Sequence, residues 1–104
     1  METKTISLPR LDGLTPTLES TALKLMEEAG ELAQAIGKLR GMSGERITVG
    51  EQEVAAVITA ELLDVAQTAV SMMFVMEEHF GVNIGEALSM HYDKLHRKGY
   101  LVGK

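Results

Sequence analysis

Apolar residues recur at helical spacing in three separate stretches of this chain. The first stripe is Leu18, Ala22, Leu25, Ala29, Leu32, Ile36 and Leu39, with steps that alternate four and three. That spacing is the seam of a packed helix, and it predicts one over residues 16–40. Thr15 is the expected N-cap, with Pro16 at the first helical position. The second stripe, Val54, Ile58, Val65, Ala69, Met72 and Met76, predicts a helix over residues 51–79. Its later half also carries Leu63, Ala66, Val70, Phe74 and Val75 on other faces, so it should be buried on more than one side. In so short a chain the second side is expected to be a subunit interface. The third stripe, Ile84, Leu88, His91 and Leu95, predicts a helix over residues 84–98. Asn83 and Glu86 form a capping-box pattern at its start.

The connecting segments fit this frame. Residues 1–15 are a lead-in broken by Pro9 and Gly13, with Ile6, Leu8, Leu11 and Leu14 able to lie along the body. Gly41, Gly44 and Gly50 mark a loop over 41–50, the expected bend of a helical hairpin. Gly81 suits a helix C-cap, and Gly99 ends the third helix before a tail over 99–104. No stretch alternates strictly between apolar and polar. The expected fold is all-α: a long antiparallel helix pair plus a third, C-terminal helix, one domain, completed by oligomerisation.

Composition narrows the function. The formal net charge of −5 argues against binding a nucleic-acid polymer through a basic surface. There is no Cys, which removes disulfides, thiolate metal sites and a Cys nucleophile. The first residues lack a basic region followed by an apolar core, so no signal peptide is expected. The most apolar run, Ala69 to Met76, is too short to span a bilayer. The expectation is a soluble, cytoplasmic protein with no membrane partner.

Five acids do not fit a purely structural reading. Glu27, Glu28 and Glu31 lie on one side of the first helix at i,i+3 and i,i+4 spacing. Glu28 is nearest the rim of the apolar stripe, and Glu27 projects furthest from it. By themselves they describe a solvated helix face. Glu61 changes that, because by angle it falls within the apolar stripe of the second helix, with Asp64 three residues on. A carboxylate there requires a positive partner. An ion pair with Lys24 or Arg97 is the plain alternative; a divalent cation explains more. Hard oxygen ligands without Cys suit Mg²⁺ or Mn²⁺. A di-iron bundle needs Glu-x-x-His pairs, and the chain has none.

Leu25-Met26-Glu27-Glu28-Ala29-Gly30-Glu31-Leu32, followed by Glu61-Leu62-Leu63-Asp64-Val65, resembles the E-E-x-x-E … E-x-x-D signature of the MazG-like all-α NTP pyrophosphatases. The resemblance covers residues 16–98 in element order. It implies Mg²⁺-dependent hydrolysis of a nucleoside triphosphate between the α and β phosphates, releasing pyrophosphate. It also implies a homodimer or a dimer of dimers. Carried over by motif, Glu28, Glu31, Glu61 and Asp64 are the expected metal ligands. Glu27 would orient or activate the attacking water, or hold a second metal. Lys94 and Arg97 are the nearest match to the family's phosphate-contacting basic residues, with Lys98 a lesser one. Lys24 and Lys38 are within reach by face.

Plain readings stand beside these. His91 reads as a core or interface histidine, and Met72, Met73 and Met76 as packing residues. Basic residues at the end of the third helix are favourable there through the helix dipole alone. A second function class also remains: a non-catalytic helical dimerisation module that keeps the acids for metal or nucleotide binding without turnover.

Overall fold

A computed structural model describes residues 1–39 and 50–103. Three helices are present, α1 (Leu18–Leu39), α2 (Glu51–Phe80) and α3 (Ile84–Arg97), with no strand among the described residues. The fold is all-α, as the periodicity predicts. The expected end of the first helix at Arg40 and the glycine loop, apart from Gly50, lie outside the described residues.

The start of α1 corrects the expected cap. Thr17, not Thr15, holds the first turn. Ser20 N–H donates to Thr17 Oγ1 at 3.0 Å, and Thr17 N–H donates to Ser20 Oγ at 2.8 Å. This is a reciprocal box built with Ser in the place where Glu or Gln is usual. Pro16 therefore precedes the helix. The other boundaries follow local chemistry more directly. Gly81 ends α2 at φ 64, the left-handed conformation that glycine adopts without penalty. Asn83 caps α3 by accepting from Glu86 N–H at 3.0 Å.

α1 and α2 make the main contact between helices. Leu39 and Val54 line one cleft between them, and Thr21 and Ser71 line another. Late residues of one helix thus meet early residues of the other, so the pair is antiparallel. The seam is narrow and partly polar: Val54 and Val75 are buried beside Thr21, Thr68 and Ser71. The buried threonines satisfy themselves. Thr21 donates to the Thr17 carbonyl at 2.8 Å, and Thr68 to the Asp64 carbonyl at 2.9 Å.

The lead-in is tied to α2. Gln67 Nε2 donates to the Pro9 carbonyl at 2.8 Å. Arg10 pairs with Glu78 and lies 4.4 Å from the centre of the Phe74 ring. Leu11 and Leu14 line a cleft but keep much of their surface exposed, and Ile6 is exposed, so this segment straps the hairpin rather than filling its core.

α3 contrasts with the pair. None of its residues is buried, and Leu88 and His91 on its apolar face are exposed. Of the two readings of His91, core or interface, the core one does not hold within one chain, because the side chain is exposed among the described residues. Met73 is likewise exposed rather than packed, whereas Met72 and Met76 are half-buried. Taken whole, α2 over Gln52–Phe80 is long and apolar enough to cross a membrane by length and composition, although the run Ala69–Met76 is not. The charged Glu61 and Asp64 within that span are a poor fit to lipid.

Candidate metal centre

The helix spacing sets the site. Glu28 and Glu31 are one turn apart on α1, and Glu61 meets them from α2. One carboxylate oxygen from each lies within 4.8 Å of the others. Glu28 is only 6% exposed, Glu61 is half-buried and Glu31 is exposed.

Three carboxylates so close repel one another, and the local charge is only partly balanced. Lys24 Nζ lies 3.0 Å from Glu28 Oε1. Its hydrogen bond to Glu28, then the charges of Glu27 and Glu28, push the Lys24 ammonium above its ordinary pKa. The neighbouring Glu28 carboxylate pushes the Glu31 carboxyl above the usual carboxylate range, with partial desolvation and the Glu61 charge adding to the rise. The plain alternative, an ion pair of Glu61 with Lys24 or Arg97, does not occur among the described residues; Lys24 pairs with Glu28 instead.

Two oxygens are left over. Glu28 Oε2 and Glu61 Oε2 are buried and accept no hydrogen bond among the described residues. Each such atom costs on the order of 1–3 kcal/mol, and more when charged. A divalent cation would remove that cost. Three converging carboxylates, two of which carry a buried oxygen without a partner among the described residues, fit Mg²⁺ or Mn²⁺ by chemistry.

The other predicted residues fall around this trio. Asp64 is exposed, stands outside the 4.8 Å group, and lines a cleft together with Glu28 and Lys24. Glu27 is 60% exposed at its side chain, with Oε1 3.7 Å from Lys24 Nζ. Lys38 lines a second cleft with Glu31 and Glu61. Lys94, Arg97 and Lys98 are exposed at the end of the third helical segment, and neither cleft includes a residue of α3.

The acids thus sit between two clefts. One, of about 640 Å³, is lined by Glu31, Lys38, Glu53, Val57 and Glu61 among others. The other, of about 530 Å³, is lined by Lys24, Glu28, Asp64, Gln67, Leu11 and Leu14 among others. Glu53 and Gln67 are additions that the acidic motif does not point to. Glu53 is eight residues before Glu61, about two helical turns, so helical phase alone puts it on the same side. Nothing in the local sequence signals Gln67, since its place depends on the strap.

A family model described as the MazG nucleotide pyrophosphohydrolase domain matches residues 16–100. No curated protein and no solved structure matches the chain.

Proposed function

This chain belongs to the MazG nucleotide pyrophosphohydrolase family, and on that premise we propose that it is a Mg²⁺-dependent hydrolase of nucleoside triphosphates. The reaction is (d)NTP plus water to (d)NMP plus pyrophosphate, a housecleaning activity on the cytoplasmic nucleotide pool. The observation that carries this reading is the pair of buried, unpartnered oxygens, Glu28 Oε2 and Glu61 Oε2, in a trio of acids.

Glu28, Glu31 and Glu61 would hold the cation, and Asp64, on the next turn of α2 and outside the trio, would join them only by a change of side-chain position. A divalent cation held there would supply positive charge against the triphosphate and against the charge that develops as the α–β bridge breaks. Glu27, turned to solvent beside the trio, orients the attacking water and takes its proton. Lys24 and Lys38 flank the acids in the two clefts and meet the phosphate chain. Lys94 and Arg97 are distant contributors, brought to phosphate only when α3 is docked.

Self-association supplies that docking. The accessible surface is 8207 Å², against about 5,700 Å² for a folded monomer of this mass. The excess of roughly 2,500 Å² per chain, about 5,000 Å² for a pair, lies at the upper end of the range that obligate dimers bury. The Cα radius of gyration of 17.0 Å also exceeds the roughly 13 Å of a compact chain this long. A homodimer or dimer of dimers covering α3 and the outer side of α2 accounts for both.

The test is a panel of nucleotides with Mg²⁺, following pyrophosphate. Turnover that drops at least about 100-fold in Glu61→Gln supports the site. Turnover unchanged by that substitution places the chemistry elsewhere. The uncovered face of α3 favours one second reading, a dimerisation module that binds nucleotide without hydrolysing it. Binding of a non-hydrolysable triphosphate with no turnover of any nucleotide would decide for that reading.

A further inference from the structure

The cleft on the strap side of the acids has a polarity of its own. It runs along the seam from Glu28 and Asp64 to Thr21 and Ser71, seven residues on each helix. At 1.5 Å per residue this is about 10 Å, the length of a nucleoside. Its volume of about 530 Å³ suits a small organic group. Leu11 and Leu14 of the strap supply an apolar wall.

Three of the hydroxyls around it, those of Ser20, Thr21 and Thr68, have already committed their hydrogens. Ser20 Oγ donates to the Thr17 carbonyl at 3.2 Å. Thr21 and Thr68 donate to carbonyls of their own helices. What these groups still offer a ligand is lone pairs.

Gln67 completes this pattern. Its Nε2 lies 2.8 Å from the Pro9 carbonyl and 3.3 Å from Ser71 Oγ. A carbonyl only accepts, so the amide must turn its nitrogen to the strap. Both N–H groups are then used, and the amide is pinned at the level of Ser71, the end of the cleft away from the acids. Oε1 receives no hydrogen bond among the described residues. The distal cleft therefore presents one fixed acceptor, Gln67 Oε1, beside the Ser71 hydroxyl.

We infer that Gln67 is a specificity-determining residue: its Oε1 accepts from the exocyclic amine of a cytosine- or adenine-type base. A base with oxygen at that ring position, such as uracil, sets acceptor against acceptor and leaves both unpaired. This rests on the triphosphate reading above, which puts the phosphates at the acids and so the base at the strap.

The test compares kcat/KM for CTP, UTP and the triphosphate of pyrimidin-2-one riboside, which lacks the amine without added bulk. CTP should exceed both others by about tenfold, the worth of one hydrogen bond to a half-exposed acceptor. In Gln67→Met the CTP value should fall until the CTP-to-UTP ratio approaches one. Loosening of the strap would move all three substrates together and leave the ratio intact. Equal values for CTP and UTP in the unaltered protein, or a ratio that survives in Gln67→Met, overturns the assignment. The pyrimidin-2-one arm needs no variant, so it decides even if Gln67→Met does not fold. Calorimetry with α,β-methylene CTP and UTP separates the two proposals. Selective binding without turnover of any nucleotide defeats the hydrolase reading and keeps this one; turnover without selectivity defeats this one alone.

Discussion

The α1–α2 seam and α3 are opposite solutions to the same problem. Both helices of the seam cover each other, and what they enclose is charged: Glu28 is buried and Glu61 half-buried, each with an oxygen that has no partner. α3 has a regular apolar face that the described residues cover only in part: Leu88 and His91 are exposed, and Ile84 and Leu95 are half-buried. In the first region protein packing is present and a positive charge is missing. In the second, chemistry is ordinary and packing is missing. The lesson is that an unmet requirement identifies its own remedy: unpaired buried oxygens require a cation, and an uncovered apolar face requires another protein surface.

The sharpest way to break this comparison is at α3. Leu88 is 49% exposed in the single chain, so Leu88→Asp should scarcely alter the fold of a monomer. If a second copy covers that face, the substitution should weaken self-association at least about 30-fold, as loss of an interface anchor does. Sedimentation across a concentration range reads this directly. A protein monomeric without the substitution would show that α3 has some other cover.

The seam is tested by the cation. Added Mg²⁺ at 100 times its dissociation constant should stabilise the fold by about 2.7 kcal/mol, or on the order of 10 °C in Tm for a chain this small. Glu28→Gln should remove most of that response while leaving association through α3 intact. A Tm indifferent to Mg²⁺ would mean that the orphaned oxygens are not a cation site.

The smallest effect is electrostatic and appears without metal. Glu31 has its carboxyl pKa raised by Glu28, so the folded state binds its proton more tightly than the unfolded state does. The sign follows: stability from this group is greatest at low pH and is lost as pH rises through the raised pKa. Metal-free protein should therefore lose stability across the window between the ordinary carboxylate value and the raised one. Glu31→Gln should flatten that part of the Tm profile and leave neutral-pH stability slightly higher. An unchanged profile would mean that Glu31 stands clear of the other two acids.

Much of the hairpin was legible in the chain itself. The four-and-three stripe from Leu18 to Leu39 defines α1, and Asn83 and Gly81 mark their helix ends because capping chemistry is local. Glu61 within an apolar stripe signalled a buried charge for the same reason: helical phase converts spacing into a face. The cap of α1 falls at Thr17 rather than Thr15 because Thr17 and Ser20 bond reciprocally without the usual acidic residue.

Other features were decided only by tertiary structure. Which of five acids converge depends on the register of α1 against α2, and that register leaves Asp64 outside the trio and turns Lys24 to Glu28. The strap depends on a contact between Pro9 and Gln67, 58 residues apart, which no local pattern encodes. Local sequence fixes torsions, caps and faces, since these arise within a few residues. Meeting points across the fold arise from packing, and there the same carboxylate is a site or a solvated side chain according to what lies opposite it.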